Sequence, residues 1–192
     1  VLTPKSVLTQ WQSELYSHFG ITAWLYDSAQ KHYINPHGDT RYQPTPNPLG
    51  KGHPDIVLIS AQYARGYRNN SGCLEREDAE LPELLVVDEA HAARVSKQIG
   101  GGEKKTRLYS MLESACKKIP HVIFATATPM QKEASEYHAL LSLLGLPKRW
   151  KKAKRFSDSL EVIGSSAHPD LTNAMESARL LLSTLSEMKP DL

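Results

Sequence analysis

Cysteine is scarce in this sequence: Cys73 and Cys116 are the only two. Two thiols far apart build no disulfide framework and complete no metal site by themselves, a usage that points to a reducing, cytoplasmic setting. No apolar run approaches the ~20 residues of a membrane-spanning helix, so no membrane partner is expected. Charge of one sign is not in excess either. Twenty-three Lys and Arg face 21 Asp and Glu, and the net charge of +2 argues for no class of partner. There is no internal repeat. There is also no G-x-x-x-x-G-K-S/T loop, the segment that cradles phosphates in many nucleotide hydrolases. What remains is ordinary for a soluble globular protein: 192 residues, 40% hydrophobic and 23% charged. That length supports one domain with a full core, or one domain plus an appendage.

The hydrophobic pattern alternates between strand and helix. Val1–Thr3 ends a strand, broken by Pro4. Ser6 is a fair N-cap, and Leu8, Trp11, Leu15 and Phe19 recur on one helical face before Gly20. Strands are expected at Ile21–Tyr26, Ile56–Ser60, Leu84–Val87 and from His121 into a loop ending at Gln131. The proline-rich stretch from Ser28 to Asp55 is expected to be mostly irregular. Leu108, Met111, Leu112 and Ala115 mark a helix. Tyr137, Leu140, Leu141 and Leu144 mark another, stopped by Gly145 and Pro147. A last helix is expected from about Asp170 to Met188, its apolar face including Leu171, Met175 and Leu182. Strands alternating with helices predict an α/β fold, a parallel sheet flanked by helices. Residues 1–150 are expected to form the main lobe, and 151–192 a basic connector with a C-terminal helix.

The chemistry concentrates in "LLVVDEAHAAR", Leu84 to Arg94. A continuous apolar run fits a strand buried on both faces. Ligands of open parallel sheets bind beyond the carboxyl ends of the strands, where Asp88 and Glu89 fall. An Asp there can hold Mg²⁺ through water, since Mg²⁺ keeps much of its hydration shell. The adjacent Glu can orient or deprotonate an attacking water. His91 can reach a neighbouring strand end. Alone, such a carboxylate pair is as often a solvated turn.

Three stretches in order, "VLTPKSVLTQW", "LVVDEAH" and "FATATPMQ", resemble the first RecA-like ATPase lobe of superfamily-two helicases. The spacing of Pro4, Lys5 and Trp11, with Glu14 following, is most similar to Swi/Snf-type translocases, in particular their bacterial RapA-like branch. "YHALLSLLGLP", Tyr137 to Pro147, resembles the segment after motif III in that group. The resemblance implies a role for each position. Thr3, Pro4 and Lys5 correspond to motif Ia and Ser60, Ala61, Gln62 and Tyr63 to motif Ib, both holding nucleic-acid backbone. Asp88, Glu89, Ala90 and His91 correspond to motif II, the Walker B box, which binds Mg-ATP; Asp88 is the metal carboxylate and Glu89 the base, with His91 in the catalytic set. Thr126, Ala127 and Thr128 correspond to motif III, which couples nucleotide state to nucleic-acid grip.

The same resemblance implies that the phosphate loop lies upstream of Val1, and a second RecA-like lobe with an arginine finger beyond Leu192. The expected function is therefore part of an ATP- and Mg-dependent motor on nucleic acid, double-stranded DNA in the first instance, with this piece inactive and free of cofactor alone. A restriction-type translocase or unwinding helicase subunit is the nearest alternative, and a non-catalytic nucleic-acid-binding module the other. Lys132 stands where Swi/Snf-type proteins often carry Asn. "KRWKKAKR", Lys148 to Arg155, holds six basic residues in eight; a solvated connector is weighed slightly ahead of a grip on duplex phosphate. The seven remaining histidines are expected to be structural or solvated.

Overall fold

The computed structural model describes residues 1–43, 46–66, 71–97, 102–128, 134–147 and 150–164, and the single positions 175 and 179. The chain divides into two compact units: Val1–Ala93 with Lys105–Ala127, and Arg94–Lys104 with Thr128–Leu192.

The first unit is built on a seven-stranded, mostly parallel sheet of order β4-β3-β2-β5-β1-β6-β9. β1 (Leu2–Thr3) runs parallel to β5 (Val57–Ser60) on one side and to β6 (Leu84–Val87) on the other. β2 (Trp24–Asp27) lies parallel to the far side of β5, and β9 (His121–Phe124) pairs with β6 in parallel register from Leu84↔His121 to Val87↔Phe124. Helix α1 (Leu8–Phe19) leads from β1 toward β2, and α3 (Arg107–Ala115) leads from β6 to β9. These connections run in opposite directions along the sheet. Right-handed crossovers therefore put the two helices on opposite faces.

α1 seats Leu8, Trp11 and Leu15 against Ala23 and Leu58. Gln12 sits on the same side and donates from Nε2 to the carbonyls of Ala23 and Ile34, at 2.9 and 2.8 Å. Gly20 closes the helix at φ 65°, as expected. The start differs: a 3-10 turn over Lys5–Val7 precedes the helix, and Val7, not Ser6, occupies the cap position. Phe19, the last of the expected apolar series, is 72% exposed and takes no part in the cluster that holds Leu8, Trp11 and Leu15. α3 is capped by the Thr106 hydroxyl, which accepts from the Tyr109 N–H, and buries Leu108, Met111, Leu112 and Ala115.

The stretch from Ser28 to Asp55 is not mostly irregular. β3 (His32–Ile34) and β4 (Thr40–Tyr42) extend the sheet as an antiparallel meander from β2. Three-residue strands are too short to show a two-residue period, and the prolines mask them. Beyond them, residues 46–52 fasten onto residues 72–80. Asn47, fully buried, donates to the Cys73 carbonyl at 3.2 Å and to Asp78 at 3.0 Å, and accepts the Leu49 N–H at 3.1 Å. The Glu80 N–H donates to the Leu49 carbonyl at 2.7 Å.

β6 also departs from expectation. Leu85 and Val87 are buried, but Leu84 is 48% exposed, and on the same face Ile123 of β9 is 52% exposed. The apolar run is fully buried on one face and only partly covered on the other, where Val86 is half-buried. Among the described residues, β9 pairs on one side alone.

The second unit pairs β7 (Val95–Lys97) with β8 (Glu103–Lys105) and packs α4 (Ala134–Leu143) on α5 (Ala153–Gly164). Trp150, 0% exposed, is the centre of its core with Leu146 and Phe156, and the His138 Nε2 lies 2.6 Å from the Trp150 carbonyl. The basic run is thus no plain connector. Its tryptophan is core, and Ala153 to Arg155 open a helix whose Lys154 and Arg155 are exposed. Lys148 and Arg149 lie outside the described residues, as do Ile99 to Gly101, Lys132 and most of the expected helix from Asp170 to Met188. Within that helix Met175 and Arg179 are described, both helical, and Met175 is 60% exposed.

Candidate functional site

The site lies where the chain reverses direction across the sheet. From β1 the path goes one way, and from β6 it goes the other, leaving a crevice at the carboxyl ends of these two strands. Crevices of this kind are where open α/β sheets bind ligands. Thr3 ends β1, and Asp88 follows β6, its N–H still in the ladder with the Leu2 carbonyl at 2.8 Å.

Glu89 then takes a left-handed conformation, φ 50° and ψ 44°. A non-glycine residue there costs on the order of 1–2 kcal/mol. The kink has a geometric result: it sends the two neighbouring carboxylates apart. Asp88 turns toward β1 and α1. Its Oδ2 accepts from the Thr3 hydroxyl at 2.9 Å and from the Trp11 indole N–H at 2.8 Å, while Oδ1 accepts the Glu89 N–H at 2.9 Å. Glu89 turns toward His91, whose Nδ1 lies 2.9 Å from Oε2. The same nitrogen is 3.1 Å from the Thr126 hydroxyl at the end of β9. A carboxylate only accepts, so the imidazole proton sits on Nδ1. The Ala90 N–H donates to the Ala125 carbonyl at 3.0 Å, which ties this turn to the β9 strand end.

A pocket of about 410 Å³ opens between the start of α1 and this turn, with Ser6, Gln10, Trp11, Glu14, Asp88 and Glu89 among its walls. The donor set suits a hydrated Mg²⁺. A carboxylate offers about four acceptor sites, and the described partners take two on Oδ2 and one on Oδ1. One is left, and Mg²⁺ keeps most of its water, so it needs one or two protein carboxylates and no cage. No cluster of three or more metal-ligating groups occurs among the described residues.

The motif Ia and Ib positions meet at the ends of β1 and β5. The Lys5 N–H donates to the Gln62 Oε1 at 3.1 Å, and that oxygen also accepts from the Ser60 hydroxyl at 2.9 Å. Ser60 caps the short helix α2 (Ala61–Ala64). Tyr63, 36% exposed, donates to the Pro46 carbonyl at 3.1 Å, and Pro4 lines the pocket beside Asp88. Thr3 is 0% exposed, so its hydroxyl serves Asp88 and not the surface. Ala127 and Thr128 are exposed, Thr128 as the first residue of its segment of the second unit.

A profile of the SNF2-related domain matches residues 1–188. The chain belongs to the SNF2-related domain family. The RNA polymerase-associated protein RapA of Sodalis glossinidius is 30% identical over 162 residues, 82% of this chain and 14% of that protein. RapA of Yersinia pestis (strain Pestoides F) is 30% identical over 160 residues, 81% of this chain and 14% of that protein. RapA of Serratia proteamaculans is 30% identical over 148 residues, covering 75% and 13%. The chain thus spans about one seventh of the length of these curated relatives.

Within this SNF2-related domain, motif spacing had marked out Asp88, Glu89, His91, Thr3 and Thr126. It assigned no role to Trp11, although Trp11 belongs to the pattern that carried the resemblance. The available signal was a position two helical turns past Pro4, on the α1 face that packs against the sheet.

Proposed function

We propose that this chain is part of the motor of an ATP-dependent translocase acting on double-stranded DNA. The observation that carries the reading is the divergence of Asp88 and Glu89 at three adjacent strand ends. One carboxylate is tied to the motif Ia strand, the other to the motif III strand through His91. In this reading Asp88 holds Mg-ATP through water. Glu89 takes the proton of the attacking water, and His91 sets the orientation of its carboxylate. Bound Mg²⁺ supplies charge neutralisation at the phosphates. Thr126 lies against the same imidazole, so a change at Glu89 is felt at motif III, where Ala127 and Thr128 follow. Pro4, Lys5, Gln62 and Tyr63 form the nucleic-acid face, with Thr3 contributing through its backbone and Ser60 through its cap. Short hydroxyl groups and backbone N–H groups at strand ends are suitable phosphate partners.

The phosphate loop and the second lobe belong, in this proposal, to other segments of a longer protein, as does any contact with RNA polymerase of the kind named for the RapA relatives. The deciding experiment is an ATPase assay of that full-length protein with and without duplex DNA, over a salt series. Stimulation by DNA that fades with salt is expected, each neutralised phosphate adding about −0.9 to the slope of log affinity against log salt. ATP turnover that ignores nucleic acid, or no turnover, would overturn the reading; DNA binding without turnover would leave a binding module instead.

A further inference from the structure

We propose that Trp11 is a positioning residue for the metal-binding carboxylate, and that it acts with Thr3 to leave Oδ1 of Asp88 as the oxygen that faces the metal. The inference rests on the proposed role of Asp88 and deepens it. Asp88 sits on a short side chain at a strand end, where a carboxylate without partners turns freely. Here Oδ2 is pinned from two directions, by the Thr3 hydroxyl of β1 at 2.9 Å and by the Trp11 indole of α1 at 2.8 Å. Oδ1 accepts one backbone N–H, at 2.9 Å. Two donors on one oxygen use its lone pairs and lower its basicity, so a cation is directed to the other oxygen.

The chemistry of the donors matters as much as their number. Both are neutral. A Lys or Arg in either place would orient the carboxylate and also cancel the charge that Mg²⁺ needs; an indole N–H and a hydroxyl orient it while its charge is kept. Both are also held rigidly. Thr3 is fully buried in the sheet, and Trp11 packs on the cluster of Leu8, Ala23 and Leu58. Trp11 and Asp88 line the same pocket, together with Glu14 and Glu89. Groups that orient a metal ligand without touching the metal typically contribute about 10–100-fold to metal affinity or activity.

A plain alternative is that the bond only staples α1 to the sheet. Two measurements separate the readings. In this chain, the indole ¹⁵N–¹H resonance of Trp11 is followed against those of Trp24 and Trp150. It should shift on Asp88→Asn, and Mn²⁺ added in large excess, since the chain alone is expected to hold a metal only weakly, should broaden it along with the Asp88 and Glu89 amides. In the full-length protein, Trp11→Phe and replacement of Trp11 by benzothienylalanine, which keeps the ring shape but has no N–H, should each raise the Mg²⁺ concentration for half-maximal ATPase by about 10–100-fold. Half-saturation within twofold of the parent in the benzothienylalanine protein, with broadening at the two amides intact, would overturn the positioning role while the metal reading stands. Absence of Mn²⁺ broadening at Asp88 and Glu89 would bring down the metal reading and this inference with it.

Discussion

Replacing Asn47 with alanine tests the least regular part of the fold. Asn47 is fully buried between two segments that have no strand or helix to hold them. Its amide supplies two donors, to Cys73 and Asp78, and one acceptor, for Leu49. The Cys73 carbonyl and the Leu49 N–H lie in residues only 4% and 6% exposed, so water replaces little of what is lost. A buried group left without its partner costs about 1–3 kcal/mol, and two such groups put the loss near 2–6 kcal/mol. For a chain of this size that lowers the melting temperature by roughly 4–24 °C. Urea unfolding followed by circular dichroism reads the loss directly. The substitution also has a pH signature. The bond from Asn47, first of several causes, holds the Asp78 carboxyl below its ordinary range. A depressed folded value means stability present above the unfolded value and lost as pH falls through the folded one. The parent should therefore weaken below about pH 4 more steeply than Asn47→Ala. Asn47→Asp keeps the acceptor but sets a second carboxylate against Asp78, so its loss should exceed that of alanine at pH 7 and shrink in acid. A stability change under about 0.5 kcal/mol for Asn47→Ala, the size of an ordinary surface substitution, would refute the reasoning.

In the full-length protein, Glu89→Gln should lower ATP turnover by about 10²–10⁴-fold with ATP binding retained, and a loss of threefold or less in a steady-state assay would remove Glu89 from the role of base. The chain on its own, which has Asp88 but no phosphate-cradling loop in its sequence, should show no micromolar Mg-ATP binding by calorimetry. With Leu84 and Ile123 exposed beside the β9 edge, the chain should self-associate in sedimentation experiments. Ile123→Lys should weaken that association, and a monomer at every concentration would argue against an open edge. Burial pushes the Cys73 thiol up to about 12 and that of Cys116 to about 11. Both should therefore resist alkylation at pH 8 until the chain unfolds, and stability should fall as pH rises above the ordinary thiol value of 9.0.

Local patterns determined a good deal by themselves. The run Leu84–Val87 is a strand to the residue, and Asp88 and Glu89 stand at its carboxyl end, because a continuous apolar run bounded by charge has few other uses. α1, α3 and α4 follow from their apolar spacing, and Gly20 and Gly145 end two of them with positive φ. Motif order also implied the family. Tertiary structure decided what spacing cannot carry. β3 and β4 exist because β2 offers an edge to pair with, not because three residues show a period. Trp150 became core because α4 and α5 close around it, although its neighbours in sequence are basic, Arg149 and Lys151. Thr3 and Trp11 converge on one oxygen of Asp88 across sequence separations of 85 and 77 residues. Such a convergence comes from the order of strands in the sheet, and strand order is settled by which surfaces pack, not by any pattern along the chain.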